Sequence, residues 1–128
     1  MKTLLEHNSE VLLMQCNTDY TANIHDNSTI KSSRFSCINL AALDHFKKLW
    51  PAIAVWLSDH THGHDTVLAA VALFECAAVE KHFTLDNSKN GQDHSFSMTP
   101  ETWRKMVNET EELRQAVHVA EDNQEIYR

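Results

Sequence analysis

Three features of the sequence predict an α/β fold built from parallel strand–helix units. Short, almost wholly apolar runs recur along the 128-residue chain, amphipathic or Ala-rich stretches separate them, and polar side chains follow each apolar run. Three such units are visible, and right-handed parallel connections are the arrangement that this order favours. A closed (β/α)8 barrel takes about 250 residues, so the chain would supply a partial TIM barrel, roughly half of one. A doubly wound sheet is the alternative architecture. It calls for a Gly-rich phosphate loop, whereas the sequence holds only Gly63 and Gly91.

The run Val11-Leu12-Leu13-Met14-Gln15-Cys16 reads as a strand buried on both faces. Residues 17–36 are polar and rich in Asn, Ser and Thr, which predicts a long surface connection. From Asn39 the apolar residues Leu40, Leu43, Phe46 and Leu49 recur at three-residue spacing with Asp44, Lys47 and Lys48 between them, the pattern of an amphipathic helix that Pro51 ends. Ala52 to Leu57 is the second strand, running directly into Ser58-Asp59-His60-Thr61-His62-Gly63-His64. A helix is predicted from about Asp65 to Cys76 with Asp65 or Thr66 as cap, then a third strand from Ala77 to Phe83 that carries Glu80 and His82 at its end. Thr99 and Pro100 open the last helix as cap and first residue, with Thr102 offering no capping-box carboxylate. That helix should reach about Val117, with Trp103 and Met106 as packing residues.

Composition narrows the classes of function. A net charge of −7 with His neutral, and cations scattered singly apart from the pairs Lys47-Lys48 and Arg104-Lys105, leaves no basic stripe for a phosphate backbone, so no nucleic acid partner is expected. No apolar stretch approaches the roughly 20 residues of a membrane helix, and the N-terminal apolar run is too short for a secretory signal. Cys16, Cys37 and Cys76 are odd in number and lack C-x-x-C spacing, which suggests neither a disulfide framework nor a thiolate zinc site. A reduced, cytoplasmic setting fits best.

In parallel βα folds the reactive groups sit at the C-terminal strand ends. Here those ends offer Asn17, Thr18 and Tyr20, then Ser58 and His60, then Glu80 and His82. Alternation along a strand puts Ser58 and His60 on one side with Asp59 on the other, and puts Glu80 with His82. Two imidazoles could thus converge from neighbouring strands. Imidazole nitrogen suits Mn, Fe, Zn or Co, and a two-His site leaves positions open for substrate oxygens and water. Equally, each His could be a hydrogen-bonded residue at the rim of the sheet. His62 and His64 extend the run, but Thr61-His62-Gly63-His64-Asp65 fails the T-H-x-H-x-D-H spacing of metallo-β-lactamase-like hydrolases. Asp93 and His94 lie in the loop after the third strand, where a carboxylate could bind sugar hydroxyls or simply be solvated. Glu109, Glu111 and Glu112 with Arg104 and Arg114 read as the wet face of the last helix.

Leu57-Ser58-Asp59-His60-Thr61, the helix stretch Ala69 to Leu73, Glu80-Lys81-His82-Phe83-Thr84 and Gly91-Gln92-Asp93-His94-Ser95-Phe96-Ser97-Met98 occur in that order. In these motifs the chain resembles the N-acetylneuraminate (sialic acid) synthases and their relatives that make legionaminic and pseudaminic acids, from about Val11 to Val117. Cys16-Asn17-Thr18-Asp19-Tyr20 is similar to a weaker segment of the same family. The resemblance implies the C-terminal three βα units of a TIM-barrel enzyme that condenses phosphoenolpyruvate with N-acetylmannosamine or a related N-acetylated amino sugar and releases phosphate. It implies a divalent metal, usually manganese, held by His60 and His82. It matches Thr18, Tyr20 and Ser58 to the phosphoenolpyruvate and metal pocket, Asp93 to amino-sugar binding and Glu80 to proton handling near the metal.

On this view residues 1–119 are the later part of the barrel domain and residues 120–128 begin a linker toward an antifreeze-like domain. The full-length family is expected to be homo-oligomeric, and the chain by itself is expected to lack turnover as a monomer. A non-catalytic metal-binding or association remnant of such a synthase is the alternative. The sequence departs from the family around Phe74-Glu75-Cys76, where one residue is extra and a small residue such as Gly is usual. Were the extra residue inside the strand, His82 would turn to the opposite face.

Overall fold

The structure, a computed structural model, describes residues 2–7, 10–17, 35 and 38–122. Its elements in chain order are α1 (Lys2–His7), β1 (Leu12–Cys16), α2 (Ala41–Leu49), β2 (Ala54–Asp59), α3 (Asp65–Phe74), β3 (Val79–Lys81) and α4 (Pro100–Asp122). The strands form one sheet in the order β1-β2-β3, and both pairings are parallel. The α/β class with a parallel sheet is therefore as the apolar runs predict. The connection predicted over residues 17–36, with Thr18 and Tyr20, lies outside the described residues except for Asn17 and Phe35.

One face of the sheet is covered by helices. Leu43 of α2, Val55 and Leu57 of β2, Ala70 of α3 and Cys76 form a buried cluster, with Leu40, Phe46, Phe74 and Val79 packed against it. The three-residue spacing in α2 therefore marks its buried stripe correctly up to Phe46. Leu49 at the end of the helix is half exposed instead. A second cluster joins Val67 of α3 to Met98 and Met106, with Trp103 alongside, and this is how α4 is held against α3.

Several boundaries differ from the sequence expectation for local reasons. Strand β2 begins at Ala54, because Pro51 and Ala52 are spent in a turn that Ile53 closes by donating its N–H to the Trp50 carbonyl at 3.0 Å. It then continues through Ser58 and Asp59, which pair in register with Glu80 and Lys81. Strand β3 keeps only Val79–Lys81, so His82 lies just past its end, and Phe83 makes a separate parallel bridge to Met98. Helix α3 starts at Asp65, and neither Asp65 nor Thr66 caps it; His64 occupies the cap position without a side-chain capping bond to the helix, and the Thr66 hydroxyl is used elsewhere. Thr99 does cap α4, accepting the Thr102 N–H at 3.3 Å, and its own N–H donates to the Thr102 hydroxyl at 2.8 Å. A hydroxyl thus closes the reciprocal cap that a carboxylate usually closes. Helix α4 continues past Val117 to Asp122, and the short helix α1 had no periodic signal to announce it.

The unusual segment after Phe74 is where α3 stops. Glu75 adopts a left-handed conformation, φ 46° and ψ 45°, and the N–H of Cys76 reaches back to the Ala70 carbonyl at 3.1 Å. This is a left-handed helix stop with a Cβ where glycine is commonest. Lys47 of α2 supports it by donating to the carbonyls of Phe74 at 2.6 Å and Glu75 at 3.1 Å, a cation placed at the negative end of a helix. The irregularity is absorbed in the turn, so the strand register that follows is intact.

A side chain in the left-handed region costs roughly 1–2 kcal/mol, part of which glycine returns through its greater freedom in the unfolded chain. Glu75→Gly is therefore expected to stabilise the protein by about 0.5–1 kcal/mol, read as a higher urea midpoint with unchanged slope. A lower midpoint would mean that the Lys47–Glu75 contact outweighs the backbone strain.

Candidate functional site

The site arises from strict alternation at the C-terminal ends of β2 and β3. Val55 and Leu57 point to the helices, so Asp59 shares their face, and Ser58 takes the opposite one. The in-register partners Glu80 and Lys81 follow the same division. On the helix face the result is a charged cluster out of contact with water. Lys81 Nζ lies 2.7 Å from Asp59 Oδ2, with the two side chains 2% and 1% exposed. Lys81 also donates to the Thr61 carbonyl at 2.9 Å. The Asp59 carboxylate accepts the Thr61 N–H at 3.0 Å, the Thr61 hydroxyl at 3.1 Å and the Thr66 hydroxyl at 2.6 Å. Every component of this cluster is therefore satisfied, the condition under which a buried ion pair is tolerated.

On the other face, Ser58 Oγ donates to Glu80 Oε1 at 3.2 Å across the strand pair. Beyond it the rings of His60 and His82 meet edge to face, with centroids 5.0 Å apart and an interplanar angle of 60°. The buried Phe96 ring stands 5.2 Å from His82, and His62 stands 6.1 Å from Phe96. Asp93 is close, its Oδ2 3.8 Å from His82 Nδ1. The structure thus brings together His60, His82, Ser58, Glu80 and Asp93 among the residues singled out from the sequence. Thr18 and Tyr20 fall outside the described residues.

The loop that presents Asp93 is held from several sides. Asn87 Nδ2 donates to the carbonyls of His94 at 2.6 Å and Ser97 at 2.9 Å, the Ser97 hydroxyl donates to the Asp93 carbonyl at 2.5 Å, and the Thr84 hydroxyl meets His94 Nδ1 at 2.8 Å. His94 lies directly against Gly91, where an added Cβ would come within 2.8 Å of the ring. His94 therefore builds the loop and leaves Asp93 as the group facing the imidazoles.

His60 and His82 could hold a divalent ion between them, since two neighbouring imidazoles are a suitable donor pair that leaves further positions open. Among the described residues no group of three His, Cys, Asp or Glu side chains is gathered tightly enough to make a closed cage. The donor set fits an open site and does not fit a structural one. An open groove between α3, β3 and α4, walled by Val71, Phe74, Val79, Trp103 and Val107, lies on the helix side and includes none of these groups.

A model of the NeuB family matches residues 1–122. The chain belongs to the NeuB family. Among similar NeuB-related proteins, N,N'-diacetyllegionaminic acid synthase of Campylobacter jejuni is 34% identical over 84% of this chain and 28% of its own length. The crystal structure of the spore coat polysaccharide biosynthesis protein SpsE of Bacillus subtilis matches with a TM-score of 0.70 at 27% identity, over 88% of this chain and 30% of that one. The crystal structure of an N-acetylneuraminic acid (sialic acid) synthetase from Leptospira borgpetersenii matches with a TM-score of 0.67 at 28% identity, over 83% and 33%. The chain therefore spans about a third or less of the length of these relatives.

Two interactions escaped the sequence reading. Asp59 and Lys81 each precede a site histidine by one position, and that equal offset with opposite charge was the available signal. Glu109, on the helix face that the charge pattern marks as wet, bonds His64 at 2.6 Å across 45 residues, with the imidazole donating to the carboxylate. No local pattern could reveal that pair.

The His64 hydrogen bond, with Lys105 adding a smaller pull, holds the Glu109 carboxyl below its ordinary value of 4.5. A carboxylate lowered in the folded state contributes stability that is complete above its unfolded value and is lost as pH falls through the folded one. Thermal unfolding followed from pH 7 downward should show a loss of stability setting in below about pH 4.5 that Glu109→Gln reduces. An identical acid profile for the variant would show that the contact carries no net free energy.

Proposed function

We propose that this chain supplies the histidine-bearing strand ends of a nonulosonic acid synthase, an enzyme that joins phosphoenolpyruvate to N-acetylmannosamine or a related N-acetylated amino sugar and releases phosphate. Its three βα units would form the C-terminal part of a TIM barrel. The observation that carries this reading is the meeting of His60 and His82 on one face, beside Ser58, Glu80 and Asp93, in a NeuB-family chain. The names of the relatives, synthases of legionaminic and sialic acids, point to the same class of chemistry.

His60 and His82 are the residues that would hold a divalent metal, manganese in the first instance. When bound, such an ion supplies Lewis-acid polarisation of an aldehyde oxygen. Ser58 fixes the Glu80 carboxylate beside the imidazoles, where it could take or return a proton during carbon–carbon bond formation. Asp93, exposed and next to His82, has free carboxylate oxygen capacity for sugar hydroxyls.

None of Ser58, Glu80, Asp93 or Phe96 is cationic, and Lys81 is committed to Asp59 on the opposite face. The anionic phosphate and carboxylate of phosphoenolpyruvate therefore need cations that these groups do not supply. The chain alone is expected to bind metal without turnover. A non-catalytic role, binding metal or associating with a complete synthase, is the second reading, and the outer edges of β1 and β3, which pair with no further strand among the described residues, favour association.

Calorimetric titration of the chain with Mn2+ tests the site. His60→Ala and His82→Ala should each reduce binding to background while circular dichroism stays unchanged. Equal binding by both variants and the parent chain would remove the metal from the mechanism.

A further inference from the structure

The two imidazoles lie just past the ends of neighbouring strands and meet edge to face. What ties the two strand ends together at that level is the cluster on the reverse face. Asp59 immediately precedes His60, Lys81 immediately precedes His82, and the ion pair between them spans β2 to β3 at 2.7 Å. The backbone ladder between β2 and β3 ends at the Asp59–Lys81 register pair, immediately before the two histidines.

We infer that Asp59, Lys81 and Thr66 are positioning residues that set the His60–His82 geometry from behind the sheet. Asp59 and Lys81 act through the backbone of the adjoining histidine, Thr66 acts through the Asp59 carboxylate, and none points at the face where substrate would lie. Thr66 brings α3 into the arrangement. Its hydroxyl donates to Asp59 Oδ2 at 2.6 Å and meets the Thr61 hydroxyl at 2.9 Å, so the first turn of α3 fixes the orientation of the carboxylate that receives Lys81. Thr61 completes the link, since its backbone carbonyl accepts the second Lys81 bond and its N–H reaches Asp59 Oδ1 at 3.0 Å. The segment from Asp59 to Thr61, with His60 at its centre, is therefore anchored at both ends to one ammonium group. His82 is anchored by the same lysine. A single buried cation thus references both imidazoles to one point.

This inference deepens the metal-site reading and rests on it for its functional meaning, but its geometric content can be measured apart from metal. Thr66→Val removes one hydroxyl at constant shape and keeps the ion pair. In the metal-free 128-residue chain, nuclear Overhauser contacts between the His60 and His82 rings should weaken in Thr66→Val and return in Thr66→Ser. Mn2+ affinity should fall about tenfold in Thr66→Val and recover in Thr66→Ser, the size expected for a group that orients a ligand without touching the ion. Leu43→Ala, a core truncation remote from the histidines, should lower stability while leaving ring contacts and affinity as they are.

Unchanged ring contacts and affinity in Thr66→Val would overturn the inference, as would an equal loss in Leu43→Ala. Should Thr66→Val fail to fold, the paired substitution D59L/K81M, which removes both charges together, is read by the same two criteria. Ring contacts that respond as described in a parent chain without Mn2+ affinity would uphold the positioning role and reject the metal reading.

Discussion

Two opposite charges held out of water behind the C-terminal ends of β2 and β3 constrain everything built around them. Taking Asp59 and Lys81 out of solvent is costly, and the cost is offset only because Thr61 and Thr66 satisfy the remaining valences of the pair. That requirement for complete satisfaction admits few arrangements. It needs the parallel register that sets Asp59 opposite Lys81, and it needs the first turn of α3 close enough for Thr66 to reach back. Register, helix docking and the direction of the next side chains follow together. Once Asp59 and Lys81 face the helices, alternation sends Ser58 and Glu80 to the other face.

The rest of the chain supports this pairing from outside. The buried cluster of Leu43, Val55, Leu57, Ala70 and Cys76 holds α2 and α3 to the sheet. Val67, Met98 and Met106 tie α4 to α3, and the His64–Glu109 bond adds a polar fastening at the start of α3. Lys47 closes the other end of α3. The long loop after β3 is equally built, with Asn87, Thr84 and Ser97 bracing it so that Asp93 faces His82. Rigid support behind a face of polar side chains is what preorganised chemistry demands.

Much of this was legible from residues alone, because the dominant signals are short-range. The apolar runs named the strands, three-residue spacing named α2, and Thr99-Pro100 marked the start of α4. Alternation along a strand is enough to put Ser58 with His60 and Glu80 with His82. What could not be read depends on tertiary choices. Thr66 looks like a helix cap and is instead recruited by Asp59, because a buried carboxylate outbids an exposed helix end for a hydroxyl. Strand β3 is shorter than its apolar stretch, since after Lys81 the chain leaves β2 and takes up a bridge to Met98. The residue at Glu75 disturbed nothing downstream, as a left-handed turn absorbed it. His64 and Glu109 are too distant in sequence for any periodicity to join them.

The central claim is that one divalent ion takes both imidazoles at once. Electron spin echo envelope modulation on the Mn2+-loaded chain reads the nitrogens bound to the metal directly. Coupling from two histidine nitrogens in the parent chain is the predicted result. Coupling from one nitrogen or none would contradict it, and would leave His60 and His82 as neighbours that pack edge to face without sharing an ion.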